Sequence, residues 1–201
     1  MTFYLIRHGQ TSWNAQSRVM GRNETPLDEI GEKQVDQLVE SIQYFPISRI
    51  YSSPQLRAQQ TAQKLAVFKN LSVQNDDRLS ELDFKLWEGK SATELHKDEL
   101  YLSRKQNYFT FSHSEVESFE SLIRRVGEFI SHAEAGSDHV VIVTHADVVR
   151  AMIVALMKVP VEMFFRFKVQ NASCTVMKKQ GDQWVMELLN FTPTPLQGLD
   201  I

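Results

Sequence analysis

Two short apolar runs in this chain each end on a histidine: Phe3-Tyr4-Leu5-Ile6 leads into Arg7-His8-Gly9, and Val140-Val141-Ile142-Val143-Thr144 leads into His145. Such a run, bounded by turn residues, reads as a strand buried on both faces of a parallel sheet. Open α/β sheets bind ligands in the crevice outside the carboxyl ends of their strands, so Arg7, His8 and His145 are expected at such an edge. A neutral imidazole is a nucleophile near neutral pH, and a guanidinium fork matches the oxygens of a phosphate. Arginine beside histidine therefore suits phosphate chemistry, with Gly9 allowing a close turn.

The rest of the chain alternates strand and helix. Asp28 opens a helix with Val35, Leu38, Val39 and Ile42 on one face, and Pro46 helps to end it. Arg49 to Ser52 reads as a strand, Ser53-Pro54 as a loop, and Leu56 to Ala66 as a helix with Arg57 in its first turn. The segment from Asp76 to Gly89, with Glu81 inside it, reads as an ordered functional loop. Ser91 to about Ser114 is helical but irregular and could cap the sheet edge. Glu117 or Ser118 begins an amphipathic helix that Gly136 stops, and Asp147 is expected to cap a helix from Val148 to Met157. Two strands, near Ser173 to Lys178 and Trp184 to Phe191, flank the turn Lys179-Gln180-Gly181-Asp182 as a hairpin. No internal repeat or linker interrupts this order, so residues 1–201 are read as one domain, with 91–117 as a cap or lid insertion.

Composition narrows the function classes. A chain of 201 residues can bury a core of its own without a disulfide or metal staple. The single cysteine, Cys174, excludes an internal disulfide and a cysteine-cluster zinc site; its place in the alternation Ala172, Cys174, Val176 makes it a buried strand residue. Twenty-two Lys and Arg against 25 Asp and Glu give a formal net charge of −3, which offers no global field for nucleic acid or acidic membranes. No run approaches the ~18 apolar residues of a membrane span, and no amino-terminal export signal is evident, so a soluble cytoplasmic protein is expected. His96, His113, His132 and His139 have no motif partners, and no histidine-carboxylate spacing makes a recognisable metal site.

Leu5-Ile6-Arg7-His8-Gly9-Gln10-Thr11 with Asn14, Ser52-Ser53-Pro54-Gln55-Leu56-Arg57-Ala58-Gln59-Gln60-Thr61-Ala62, Leu79-Ser80-Glu81-Leu82-Asp83-Phe84, Trp87-Glu88-Gly89 and Val143-Thr144-His145 occur in this order. Together they resemble the histidine phosphatase superfamily, the phosphoglycerate-mutase-like clan. The resemblance implies a three-layer α/β/α sandwich around a mostly parallel sheet. It also implies a nucleophilic His8 that forms a phosphohistidine, Arg7 and Arg57 holding the phosphate, His145 donating to the same oxygens as a cation, Asn14 as a further phosphate-side donor, and Glu81 as proton donor. Taken singly, Arg57 reads equally as a surface helix arginine, and Glu81 and Asp83 as solvated loop charges. Trp13, Phe84 and Trp87 read as packing residues that could shape a leaving-group pocket. Whether burial or the neighbouring arginines dominate the Glu81 carboxyl is not set by the sequence.

Asp147 is left out of the chemistry: the acid-phosphatase branch places an aspartate directly after its second histidine, whereas Ala146 intervenes here. Lys85 stands where a glycine is common in similar chains and Arg22 where a tryptophan is frequent, both adding positive charge at the mouth. Arg104-Lys105 lacks the paired prolines that accompany the mutases' Arg-Arg signature, so a hydrolase needing no bisphosphate or other cofactor is expected. The chain looks similar to α-ribazole-5′-phosphate phosphatases of cobalamin nucleotide-loop assembly, with broad-specificity and sugar-phosphate phosphatases, a mutase, or a noncatalytic phosphate-binding module as alternatives. The expected partner is a small phosphomonoester, with neither nucleic acid nor membrane, bound by a monomer or homodimer.

Overall fold

The computed structural model describes residues 1–136 and 139–193. In chain order the elements are β1 (Thr2–Arg7), α1 (Ser12–Ala15), α2 (Glu29–Ser41), β2 (Arg49–Ser52), α3 (Leu56–Lys69), β3 (Val73–Asn75), α4 (Ala92–Leu95), α5 (Glu99–Gln106), α6 (Phe119–Glu134), β4 (His139–Thr144), α7 (Ala146–Met157), β5 (Cys174–Gln180) and β6 (Gln183–Phe191). The strands form one sheet in the order β3-β2-β4-β1-β5-β6. β1, β2, β3 and β4 run parallel, β5 is antiparallel to β1, and β6 is antiparallel to β5.

Period-two alternation divides the strand side chains between two cores. Phe3, Leu5, Val140 and Ile142 face α6 and α7, whereas Tyr4, Ile6, Val141 and Val143 face α2 and α3. A sheet covered on both faces must be apolar throughout, which is why β1 and β4 read as unbroken hydrophobic runs. α6 buries Phe119, Leu122, Val126, Phe129, Ile130 and Ala133 along one stripe. Ser118 caps it by accepting a hydrogen bond from the Ser121 N–H at 3.2 Å.

Strand order brings the three reactive loops together. β1 pairs with β4 in the register Arg7 opposite Thr144, and the His8 N–H donates to the Thr144 carbonyl at 3.0 Å. β2 lies on the other side of β4, where the Ser53 N–H donates to the Val143 carbonyl at 2.9 Å. Residues 8, 53 and 145, distant in sequence, thus leave the sheet side by side at its carboxyl edge.

The segment between Phe84 and Val116 has a small core of its own. Trp87, Leu95 and Val116 are buried there with Phe84, Tyr101 and Phe111 against them. Trp87 is therefore a packing residue; its indole N–H donates to Asp98 at 3.2 Å. Trp13 packs over Gly89, which adopts φ +77° at a point where a side chain would meet the indole ring.

Several boundaries differ from the sequence expectation. α7 begins at Ala146 with His145 in the N-cap position and no side-chain cap, so Asp147 is inside the first turn. Its carboxylate pairs with Arg150 at 2.7 Å and accepts from the Tyr108 hydroxyl at 3.3 Å, a tertiary role that replaces the expected cap. α3 runs to Lys69 and ends on Asn70 in the left-handed region, φ +53°. β5 extends through Gln180, shortening the hairpin turn to Gly181-Asp182, and α6 stops at Glu134, before Gly136.

α2 meets the loop after β1 at a close backbone approach. A Cβ on Gly31 would overlap the Gln10 carbonyl oxygen, and one on Gly9 would lie 2.7 Å from the Gly31 carbonyl oxygen. A Gly31→Ala substitution gains up to ~1 kcal/mol of helix propensity but forces backbone apart, for which overpacking costs of about 1–3 kcal/mol are typical. The expected outcome is a lower urea midpoint, since neither colliding atom belongs to a flexible side chain. An unchanged or raised midpoint would show that the loop carrying His8 is not held by this contact.

Candidate active site

His8 and His145 stand with ring centroids 5.1 Å apart, and both are buried, at 2% and 0% exposure. The Nδ1–H of His8 donates to the Gly9 carbonyl at 2.7 Å, which leaves Nε2 without a proton. That bare nitrogen faces the Nε–H of Arg57 at 3.3 Å. Arg57 is itself fully buried: Nη1 donates to the Asn23 carbonyl at 2.6 Å, and Nη2 to the Gly21 carbonyl at 2.8 Å and to His145 Nδ1 at 3.2 Å. The opposite ring nitrogen of His145, Nε2, lies 2.8 Å from Ser53 Oγ.

Arg7 donates through Nη1 to the Val169 carbonyl at 2.8 Å, and its Nε is buried without a hydrogen-bond partner. It also forms part of the wall of a cavity of about 550 Å³ that Lys33, Arg150 and Lys168 line as well. Asn14 sits in α1, just after the loop that carries His8, and its side chain serves that loop. Its Oδ1 accepts from the Thr11 N–H at 3.2 Å and from Asn171 Nδ2 at 3.0 Å. Asn171 also reaches the carbonyls of His8 and Gly9 at 3.2 and 3.3 Å, so it braces the turn that carries His8 from the loop ahead of β5. Nothing in the sequence around Asn171 marks it for this.

Glu81 comes from the loop after β3 and is 9% exposed. Its Oε1 accepts from the Leu82 N–H at 3.0 Å, its own N–H donates to Gln55 Oε1 at 3.2 Å, and Arg22 Nε donates to its carbonyl at 3.3 Å. Arg22 also pairs with Glu117 at 3.3 Å, so the residue that departs from the common pattern fastens the Glu81 loop to the start of α6. Lys85 is exposed, and its backbone N–H donates to Asp83 Oδ1 at 3.2 Å.

Electrostatics follow from this burial. Desolvation, then the charges of Arg57 and Arg7, hold the His8 imidazolium well below 6.5. His145 is depressed in the same sense by burial, then by Arg57, His8 and Arg7. Burial first, and the positive charges of Arg57 and Arg7 after it, favour the neutral ring of His145, whereas the resemblance implies a cation. Glu81 moves the other way: burial and the Asp147 carboxylate raise it to about 7, against the Leu82 N–H, Arg57 and Arg7. Burial therefore outweighs the arginines at this carboxyl. Arg7 and Arg57 are lowered by burial to about 10 and remain charged at neutral pH.

Around this centre stand residues that the motifs do not mark. Tyr108 links Asp147 to Arg104, whose guanidinium lies 4.5 Å from the Tyr108 ring centre and 4.6 Å from that of Phe84. Arg104 is 7% exposed and has no carboxylate partner among the described residues. Cys174 lies apart on β5, fully buried, its thiol pushed up to about 12 by desolvation. Among the described residues no group of three or more His, Cys, Asp and Glu side chains is gathered as a metal site, and no helix is long and apolar enough to cross a membrane.

A mostly parallel α/β sheet whose carboxyl edge gathers two neutral histidines, two arginines and a raised carboxyl defines a class of protein built to handle phosphoryl groups. The chain belongs to the histidine phosphatase superfamily, branch 1, whose family model matches residues 3–192. It is 32% identical over 194 residues to phosphoserine phosphatase 1 of Hydrogenobacter thermophilus, covering 94% of this chain and 91% of that one. Among solved structures it is similar to the α-ribazole phosphatase of Shigella flexneri, with a TM-score of 0.89, 25% identity, and coverage of 95% of this chain and 96% of that one. A mycobacterial glucosyl-3-phosphoglycerate phosphatase matches with a TM-score of 0.85 and 27% identity over 94% and 98% of the two chains.

The opposed shifts make folding stability depend on pH. An unfolded histidine titrates near 6.5, so below that pH the unfolded chain binds protons that buried His8 and His145 refuse. Stability from both is full above 6.5 and falls on acidification by about 1.4 kcal/mol per pH unit for each. Glu81, raised to about 7 in the folded protein, acts in the opposite sense between 7 and its unfolded value, offsetting about one histidine. The denaturation midpoint should therefore drop between pH 6.5 and 5, and roughly twice as steeply in Glu81→Gln. A flat or rising wild-type midpoint would contradict two neutral imidazoles.

Proposed function

We propose that the protein is a phosphomonoester hydrolase in which His8 attacks phosphorus and forms a phosphohistidine. The observation that carries this reading is the unprotonated Nε2 of His8, fixed by the Nδ1–H bond to Gly9 and facing the Arg57 fork. A neutral, oriented imidazole splits one difficult displacement into two easier ones. Phosphoryl transfer otherwise needs charge stabilisation around the equatorial oxygens, and Arg57 with Arg7 supplies two cations on that side. The carboxylic acid of Glu81 protonates the leaving alkoxide, and the resulting carboxylate takes a proton from the water that hydrolyses the phosphohistidine. A carboxyl raised to about 7 can serve in both directions near neutral pH. A binding module would need neither the nucleophile nor the acid.

The expected substrate is a small phosphorylated metabolite. α-Ribazole 5′-phosphate is supported by the loop motifs and structural neighbours, phosphoserine by the 32% identical relative, and a sugar-linked phosphoglycerate by the 27% identical mycobacterial structure. Arg104, held between Phe84 and Tyr108 without a carboxylate partner among the described residues, favours a leaving group that carries its own anion, as phosphoserine does. The segment 91–117 bears Arg104 and Tyr108 and is proposed as the cap over the leaving group.

His8→Ala should abolish turnover of every phosphomonoester and remove the acid-labile phosphoprotein trapped by rapid quench. Substantial residual activity would refute the nucleophile. Glu81→Gln should slow phosphoserine hydrolysis by about 10²–10⁴-fold, the usual range for a lost general acid, while nitrophenyl phosphate loses far less because nitrophenolate departs unaided. For wild type, alkyl phosphate turnover should decline above about pH 7 as Glu81 ionises. Equal losses on both substrates, or a flat profile, would remove Glu81 from the acid role. A panel containing phosphoserine, α-ribazole 5′-phosphate and 3-phosphoglycerate should show preference for an anionic leaving group, and Arg104→Ala should raise KM for phosphoserine without raising it for nitrophenyl phosphate.

A further inference from the structure

Between β2 and α3 the chain passes through Ser53-Pro54-Gln55, whose side chains take no part in the chemistry derived above. Ser53 and Gln55 are 0% and 4% exposed. Ser53 Oγ lies 2.8 Å from His145 Nε2 and 2.5 Å from Gln55 Oε1, and that same Oε1 accepts the Glu81 N–H at 3.2 Å.

The two ends of this chain of contacts are obligate donors, which fixes every hydrogen between them. At one end the Arg57 guanidinium can only donate, so His145 Nδ1 must be the acceptor at 3.2 Å. A neutral ring with a bare Nδ1 carries its proton on Nε2, and that N–H donates to Ser53 Oγ. At the other end a backbone N–H can only donate, so the Gln55 atom facing Glu81 must be its oxygen, which then accepts the Ser53 O–H as well. The opposite direction fails at both ends, setting N–H against N–H at Arg57 and an amide NH₂ against the Glu81 N–H. An imidazolium fails at Arg57 for the same reason.

We propose that Ser53 and Gln55 are positioning residues that hold His145 in the Nε2–H tautomer and tie it to the backbone of the Glu81 loop. The inference rests on the phosphatase reading for its kinetic consequence, though not for the tautomer itself. The effect reaches the nucleophile through one side chain. His145 with a bare Nδ1 accepts from Arg57 Nη2, and the same guanidinium presents Nε to His8 Nε2. Were the His145 proton to move to Nδ1, it would push against Nη2 and turn the fork away from His8. The two histidines are thus kept in opposite tautomers, His8 by the Gly9 carbonyl and His145 by Ser53, so that both bare nitrogens converge on Arg57. Gln55 adds the second link, since it sets the backbone from which the Glu81 carboxyl projects.

Nitrogen-15 spectra of histidine-labelled wild-type protein near pH 7 should show one buried ring protonated on Nδ1 and the other on Nε2, assigned with His8→Ala and His145→Ala. Ser53→Ala should remain folded at the assay temperature. It should shift the His145 signals toward mixed tautomers and lower kcat about tenfold or more, with KM changed less than threefold. Because the defect lies on the nucleophile side, phosphoserine and nitrophenyl phosphate should lose activity alike, unlike in Glu81→Gln. Gln55→Leu should reproduce the kcat loss. A wild-type His145 protonated on Nδ1 or on both nitrogens, or a Ser53→Ala protein with native kcat and native His145 signals, would overturn the proposal. If wild type turns over no phosphomonoester, the functional reading fails, while the nitrogen spectra still decide the tautomer.

Discussion

Four of the five polar hydrogens of the buried Arg57 fork have a direction imposed on them, and the centre is organised around that constraint. Its contacts run to two backbone carbonyls and to one nitrogen on each histidine. A guanidinium has no acceptor and does not lose its proton near neutral pH, so each facing nitrogen must offer a lone pair. Neutral imidazoles are therefore a requirement of the geometry as well as a result of burial. The carbonyls of Gly21 and Asn23 hold the fork from the loop ahead of α2, while the helix α3 that carries Arg57 packs on the sheet through Ala58, Ala62, Leu65 and Ala66.

Burial has opposite effects on the acid and the base of this centre, and the opposition is useful. Desolvation disfavours whichever form is charged, so it strips the histidines of their proton and gives one to Glu81. In the proposed reaction this leaves an unprotonated imidazole at His8 and a carboxyl able to hold its proton up to about pH 7 at Glu81. Asp147 reinforces the second effect as a nearby negative charge, itself held by Arg150 and Tyr108. The family to which the chain belongs acts on phosphorylated compounds, and in this chain burial, aided by the arginines at His8 and by Asp147 at Glu81, shifts the two groups in opposite directions.

Around the reactive atoms the surroundings differ more than the centre does from what the motifs lead one to expect. Arg22 joins the Glu81 carbonyl to Glu117, and Glu117 in turn receives Arg125 at 2.7 Å, so the acid-bearing loop is clamped to α6 by two arginines on one carboxylate. The cluster of Trp87, Leu95 and Val116 gives the segment beyond that loop an independent anchor. Arg104 is supported there by the aromatic faces of Phe84 and Tyr108, which stabilise a cation without neutralising it.

How far the sequence could be read depended on whether a signal was local. The apolar runs before His8 and His145 announced buried parallel strands, because a strand covered on both faces can tolerate few polar side chains. Asp28 and Ser118 announced helix starts through their own capping oxygens. Asp147 looks like a cap for the same reason, since it stands at the start of an apolar helix, but its carboxylate is taken by Arg150 one turn along and by Tyr108 from another segment. Hydrophobic period, cap chemistry and the ordered motifs thus determined the fold class, the strand ends and the residues worth watching. Only the tertiary structure decided their surroundings: that His145 turns Nδ1 toward Arg57, that burial overrides the arginines at Glu81, and that Ser53, Gln55 and Asn171 join the centre. Protonation and hydrogen-bond direction depend on which charges and donors lie within a few ångströms, and those neighbours come from strands paired across more than a hundred residues of chain.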